Sequence, residues 1–286
     1  MGMKDFWDIV ICEPIGFCSG VERALRLARS ALGSCGRVYS LGPLIHNPIV
    51  VKELEKQGLT PVQEISEASG GTLVIRSHGA SPDLLEEADK LKIKVIDATC
   101  PNVARVQAYA KNLSQDGYTV VVVGDLEHPE VKSILAYAQK SGIVYKQGME
   151  IKAERIGVLA QTTTSPVSFA QAVKDLLRNN FKEMRIFNTI CQEAVARQKA
   201  VKEISPRVDL FLVVGGKDSA NTQALAEAVR AEGKPVFLIE NKEMIDLIRL
   251  RRIAQARRIG IAAGTSTPSL AISEIVEILN TRRSKQ

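Results

Sequence analysis

Apolar positions along the 286-residue chain switch between two periods in a fixed order. Residues 21–32, 103–113 and 194–204 carry apolar side chains at helical spacing, which predicts three amphipathic helices. Each leads into a short β-rich run: Val38-Tyr39-Ser40-Leu41, Val120-Val121-Val122-Val123 and Leu210-Phe211-Leu212-Val213-Val214. These runs end in glycine, at Gly42, Gly124 and Gly215-Gly216. A second helix is predicted after each, then a further short apolar strand at 60–62, 142–145 and 235–239. The last strand of each unit, at 73–75, 156–160 and 259–263, runs into a small polar turn. Those turns read Arg76-Ser77-His78-Gly79, Gln161-Thr162-Thr163 and Gly264-Thr265-Ser266-Thr267. Strands alternating with helices predict small parallel sheets.

The three units align on cysteine. Cys18, Cys100 and Cys191 each precede the first helix of a unit, and a polar residue (His46, His128 or Ser219) follows 28 positions later each time. An internal triplication is therefore predicted, with repeats at 13–99, 100–187 and 188–286. The first holds Cys18, His46 and His78, and the second holds Cys100, His128, Glu130 and Thr162. The third holds Cys191, Ser219, Asn221 and Ser266, and an N-terminal strand at 8–12 is available to join it. The expected fold class is α/β: three small domains with parallel sheets, related by a pseudo-threefold axis around a central cavity. Ligands of parallel α/β sheets bind at the carboxyl ends of the strands, where all the polar turns fall.

Composition narrows the function classes. A 45% hydrophobic content over this length is enough for a substantial core. No apolar run reaches the length of a membrane helix, and the first ten residues hold Lys4, Asp5 and Asp8 rather than a signal-peptide core. A cytosolic protein with no membrane partner is expected. The net charge of +6 weakly favours an anionic partner. Its basic residues are dispersed apart from Arg249, Arg251, Arg252, Arg257, Arg258 and a basic tail, and aromatics are only 5%, so no nucleic-acid surface is expected.

Five cysteines at long spacings argue against a disulfide framework in a cytosolic protein. Cys12, in an apolar strand, and Cys35, near a turn, are expected to be structural. Cys18, Cys100 and Cys191 stand at helix starts, where thiolate is favoured, and three converging thiolates could hold zinc or an iron–sulfur cluster. The only histidines, His46, His78 and His128, all fall in strand-end signatures. Imidazoles there, with Ser219, Asn221 and Ser266 on glycine-rich turns, make an anion site, although serine and asparagine also cap helices. No GxGxxG or Gly-Lys-Ser motif indicates a nucleotide. Glu130, two residues after His128, is a candidate proton donor if it sits in a dry pocket, and otherwise a first-turn helix glutamate.

These residues stand in recognisable motifs. Gly16-Phe17-Cys18-Ser19-Gly20-Val21-Glu22-Arg23-Ala24, Gly42-Pro43-Leu44-Ile45-His46-Asn47, Asp97-Ala98-Thr99-Cys100-Pro101 and His128-Pro129-Glu130-Val131 come in order. So do the Arg76 and Gln161 turns, Asn188-Thr189-Ile190-Cys191, Gly215-Gly216-Lys217-Asp218-Ser219-Ala220-Asn221-Thr222 and Ala263-Gly264-Thr265-Ser266-Thr267-Pro268. As a set, over nearly the whole chain, they resemble the 4-hydroxy-3-methylbut-2-enyl diphosphate reductase family of the methylerythritol phosphate route to isoprenoids. The resemblance implies a trefoil-like fold around a [4Fe–4S] cluster held by Cys18, Cys100 and Cys191. It implies a diphosphate pocket of His46, His78, Ser219, Asn221 and Ser266, with His128, Glu130, Thr162 and Thr163 near the substrate hydroxyl. The implied reaction is a two-electron reductive dehydroxylation to isopentenyl and dimethylallyl diphosphate, with electrons from a ferredoxin or flavodoxin. Glu193 and Ala194 depart from the usual Ala-Thr after the third cysteine, Ala220 replaces a serine of the phosphate turn, and Gln107 replaces a frequent histidine. Those departures leave open a paralogous cluster reductase or dehydratase acting on another small phosphorylated substrate. A non-catalytic cluster or zinc sensor is the reading from another class.

Overall fold

A computed structural model describes residues 7–247 and 256–283. Arg249, Arg251 and Arg252 of the basic cluster lie outside the described residues, as does the end of the basic tail. The first part of the chain runs β1 (Asp8–Ile11), α1 (Ser19–Ser34), β2 (Val38–Leu41), α2 (Pro48–Lys56), β3 (Leu59–Val62), β4 (Thr72–Ile75), α3 (Pro82–Lys90) and β5 (Lys94–Asp97). It continues with α4 (Pro101–Gln115), β6 (Thr119–Val123), α5 (Pro129–Ala138), β7 (Gly142–Val144), β8 (Arg155–Ala160), α6 (Pro166–Leu176) and β9 (Glu183–Ile186). Then come α7 (Gln192–Ile204), β10 (Leu210–Val214), α8 (Ala220–Ala231), β11 (Val236–Ile239), α9 (Met244–Leu247), β12 (Arg258–Ala263) and α10 (Ser269–Arg283).

Among the described residues the strands form three four-stranded sheets, ordered β3-β2-β4-β5, β7-β6-β8-β9 and β11-β10-β12-β1, and every pairing is parallel. This is the α/β class that the alternating pattern predicts. Each sheet has the same internal order, and in the third the outer place is filled by β1, in register Asp8 with Arg258 through Ile11 with Ile261. The predicted helices and strands recur within a few residues of their sequence positions. The outer strands β5 and β9 carry no such signal: Lys94 and Asp97, and Glu183 and Arg185, break the apolar run. Charge on short edge strands blocks pairing with other chains and hides the strand from a hydrophobicity pattern.

The chain separates into two compact units. One comprises residues 7–18 and 46–48 with the described residues from Gln192 onward, and contains the β11-β10-β12-β1 sheet. Its core joins Leu212, Val214, Ile259 and Ile261 to Ile272 and Ile275 of α10 on one face. On the other, Phe211 and Val213 pack with Val201, Leu225 and Val229 from α7 and α8. The other unit, residues 19–45 and 49–191, holds the remaining two sheets. Val120, Val122 and Leu159 pack there against Val106 and Ala110 of α4 and Val131 and Ile134 of α5. Strands covered on both faces read as near-continuous apolar runs, as β6, β8, β10 and β12 do. Among the described residues, no helix is long and apolar enough to cross a membrane.

Candidate active site

In the larger unit, Glu130 is the focal group. Pro129 occupies the first position of α5 and His128 its N-cap, so Glu130 falls in the first turn at the carboxyl edge of β6. The His128 Nδ1 accepts the Glu130 backbone N–H at 3.2 Å, which in the neutral ring puts the proton on Nε2. Glu130 is only 2% exposed. Its Oε1 accepts the Thr162 N–H at 2.7 Å and its Oε2 accepts the Thr162 hydroxyl at 2.8 Å. Burial pushes the carboxyl up to about 7, against the pull of the two Thr162 hydrogen bonds, which favour the anion. A carboxyl poised there can hold or release a proton near neutral pH.

The imidazoles of His78 and His128 meet edge to face, with centroids 5.3 Å apart. The His78 and Glu130 backbones share one tether. Ser133, buried on α5, lies 3.0 Å from the His78 carbonyl and 2.9 Å from the Glu130 carbonyl through its hydroxyl oxygen, and accepts from the Gln107 Nε2 at 2.9 Å. The His78 turn is tight: Gly79 has φ +78° and a Cβ there would collide with the Gln107 amide. Gln107 therefore braces the turn that presents His78.

Two of the three expected cysteine ligands belong to this unit. Cys100 is the N-cap of α4, and its N–H donates to the Ser77 carbonyl at 3.0 Å. Arg23 ties α1 to the same segment through the Thr99 carbonyl at 3.0 Å and the Asp97 carbonyl at 3.2 Å. Cys191 donates its N–H to the Thr162 carbonyl at 2.8 Å, so one residue positions both Glu130 and Cys191. The Asn102 amide donates to the Cys191 Sγ at 3.4 Å. Burial pushes the Cys100 thiol up, the N–H groups of Asn102 and Val103 draw it back, and the charges of Cys191 and Glu130 push it up further. Thr163 lies half-buried in the Thr162 turn, and its hydroxyl makes no hydrogen bond among the described residues.

The smaller unit gathers the other expected residues. The Cys18 N–H donates to the Thr265 carbonyl at 3.0 Å. Ser266 donates its hydroxyl to the His46 carbonyl at 3.2 Å, and Asn47 donates to the Ser266 carbonyl at 2.9 Å. A Cβ at Gly216 would come within 2.6 Å of the His46 carbonyl, so glycine is required for that approach. Ser219 caps α8 by accepting the Thr222 N–H at 3.4 Å, which makes it both a helix cap and a buried strand-end hydroxyl. Asn221 is only 2% exposed, yet neither atom of its amide has a hydrogen-bond partner among the described residues. Buried amides are almost always paired, so an unpaired one is exceptional. Arg197, nearly fully buried, donates to the Gly16 carbonyl at 2.8 Å and lies 3.9 Å from the Glu193 carboxylate. Ala194 is buried, and Ala220 starts α8 directly after Ser219.

Cys12 is buried, and burial lifts its thiol to about 12, so it is a core residue. Cys35 follows α1, half-buried. Sequence patterns missed Asn102, Ser133 and Arg197. Asn102 could have been noticed as a polar residue in the first turn after Cys100-Pro101, but Ser133 and Arg197 sit inside helices with no distinguishing local signal.

Parallel sheets whose carboxyl ends carry, within the larger unit, two thiols, two imidazoles and a carboxyl held near neutrality define an α/β protein with an acid–thiol site in that unit. The chain belongs to the LytB protein family, whose model matches residues 9–280. It is 42% identical to a 4-hydroxy-3-methylbut-2-enyl diphosphate reductase of Geotalea daltonii, covering 94% of this chain and 95% of that one. It is 41% identical to the protein of the same name from Dictyoglomus thermophilum, covering 95% of each. Among solved structures, one of (E)-4-hydroxy-3-methyl-but-2-enyl diphosphate reductase, the terminal enzyme of the non-mevalonate pathway, aligns with TM-score 0.69 and 38% identity over 96% of this chain and 100% of that chain. The E-1-hydroxy-2-methyl-but-2-enyl-4-diphosphate reductase from Plasmodium falciparum aligns with TM-score 0.89 and 26% identity, covering 96% and 88%.

Proposed function

We propose that this protein reduces 4-hydroxy-3-methylbut-2-enyl diphosphate to isopentenyl and dimethylallyl diphosphate. The carrying observation is the Thr162-clamped, buried Glu130 in a chain about 40% identical, end to end, to reductases of that name. Three repeats, at 13–99, 100–187 and 188–286, each contribute one cysteine, and Cys18, Cys100 and Cys191 together hold a [4Fe–4S] cluster. The donor set fits it: the three are half-buried, outside any disulfide, and Cys191 raises the cost of ionising Cys100, a cost that bound metal removes. A set of three thiolates suits a cluster better than structural zinc, which takes four protein ligands.

When bound, the cluster supplies electrons one at a time. The overall change takes two electrons and two protons: the allylic C–O bond breaks, the hydroxyl leaves as water, and the allyl fragment gains a proton on carbon. His46, His78, Ser219, Asn221 and Ser266 bind the diphosphate, and the Asn221 amide finds there the partner it otherwise lacks. His128 offers its Nε2 proton toward the substrate. Glu130, protonated near neutral pH, gives its proton to the departing hydroxyl, while Thr162 keeps the carboxyl in place and Thr163 lines the same turn. The electron donor is a ferredoxin or flavodoxin, and the reaction takes place in the cytoplasm. Anaerobic incubation with the substrate and reduced methyl viologen tests the reading by mass spectrometry of the products. The two isoprenoid diphosphates are expected, and unchanged substrate with iron-loaded protein would contradict it. The sequence departures at Glu193, Ala194 and Ala220 leave, as second reading, a paralogous cluster reductase or dehydratase on another small phosphorylated substrate, which the same assay would reveal by its faster turnover.

A further inference from the structure

Asn102 reaches from the first turn of α4 to a different repeat and donates its amide N–H to the Cys191 Sγ at 3.4 Å. The direction of this hydrogen bond follows from chemistry: a thiolate has no proton to give, so the amide nitrogen must face it. Asn102 is half-buried, and its neighbours Cys100 and Cys191 are both proposed ligands. A neutral donor at a ligand sulfur acts only through its dipole. Reduction adds one negative charge to a cluster and its thiolates, and an N–H aimed at sulfur stabilises the reduced state more than the oxidised one.

We propose that Asn102 raises the reduction potential of the cluster by donating to the Cys191 sulfur. The inference rests on the cluster reading above, and it assigns to Asn102 a tuning role rather than contact with substrate.

The test is an anaerobic potentiometric titration of wild type, Asn102→Ala and Asn102→Asp, read by the electron paramagnetic resonance of the reduced cluster alongside iron and sulfide content. Each protein is expected to hold about four irons. Asn102→Ala is expected to lower the reduction equilibrium about tenfold, a midpoint about 59 mV more negative for one electron. Asn102→Asp, equal in size but negative, is expected to go further. A loaded variant with the wild-type midpoint, or a more positive one, would overturn the proposal. Should Asn102→Ala fail to load, the same-sized Asn102→Asp carries the comparison. Wild-type protein that takes up no iron would overturn the cluster reading and this inference with it.

Discussion

Thr162 holds both oxygens of the Glu130 carboxyl, with its backbone N–H on Oε1 at 2.7 Å and its hydroxyl on Oε2 at 2.8 Å. Its carbonyl meanwhile accepts the Cys191 N–H at 2.8 Å. A proposed proton donor and a proposed metal ligand are thereby fixed by one turn, and displacement of that turn disturbs both.

The same clamp makes a statement about pH. Glu130 titrates near 4.5 in the unfolded chain and about 7 in the folded one, because burial disfavours its charge. Its contribution to stability is fully present below about 4.5 and is lost as pH rises through about 7, a change on the order of 3 kcal/mol. Glu130→Gln keeps the shape without the charge, with its amide oxygen accepting the Thr162 N–H and its NH2 donating to the Thr162 hydroxyl. Denaturant unfolding at pH 8 is expected to find this variant at least as stable as wild type, with a flatter pH dependence. Turnover by the same variant is expected to fall by about 10²-fold or more, the usual worth of a positioned acid. Wild-type activity should decline above about pH 7 as the acid ionises.

Asn221 separates stability from binding. Its buried amide makes no hydrogen bond among the described residues. Asn221→Ala is expected to leave thermal stability unchanged or slightly higher, since a stranded polar group costs about 1–3 kcal/mol. The KM for the diphosphate is expected to rise about tenfold or more. Loss of stability with unchanged KM would show instead a structural amide.

Ser133 and Gln107 form a pair whose members depend on each other. Ser133→Ala strands the Gln107 amide in the interior and is expected to cost about 1–3 kcal/mol. Adding Gln107→Leu removes the stranded group and should recover most of that loss, so a double-mutant cycle in urea measures the coupling.

The five cysteines divide into three and two. Cys18→Ser, Cys100→Ser and Cys191→Ser are each expected to lose iron, whereas Cys12→Ala and Cys35→Ser keep it. Cys12→Ala should cost about 1 kcal/mol for its small cavity. In metal-free protein Cys12 should be the slowest to react with thiol reagents, since burial keeps it protonated.

Much of this was legible in the residues. The inner strands β6, β8, β10 and β12 announce themselves because burial on both faces demands unbroken apolar runs, and the offset from cysteine to the next polar strand end marks the triplication. The edge strands β5 and β9 were hidden by the charges that protect them. Glu130 was legible only as one half of a choice between proton donor and helix-dipole glutamate, and its burial and Thr162 hydrogen bonds, which support the first reading, have no local sequence signal. Ser133 and Arg197 escaped because their meaning lies in partners 26 to 181 residues away in sequence, which no local pattern encodes.

The most direct test of the whole account is the anaerobic oxidation of reduced methyl viologen by 4-hydroxy-3-methylbut-2-enyl diphosphate, measured on wild type and Glu130→Gln loaded to equal iron. Two viologens consumed per substrate by wild type, and almost none by the variant, is the expected result. Equal rates from the two proteins, or no oxidation by fully loaded wild type, would contradict it.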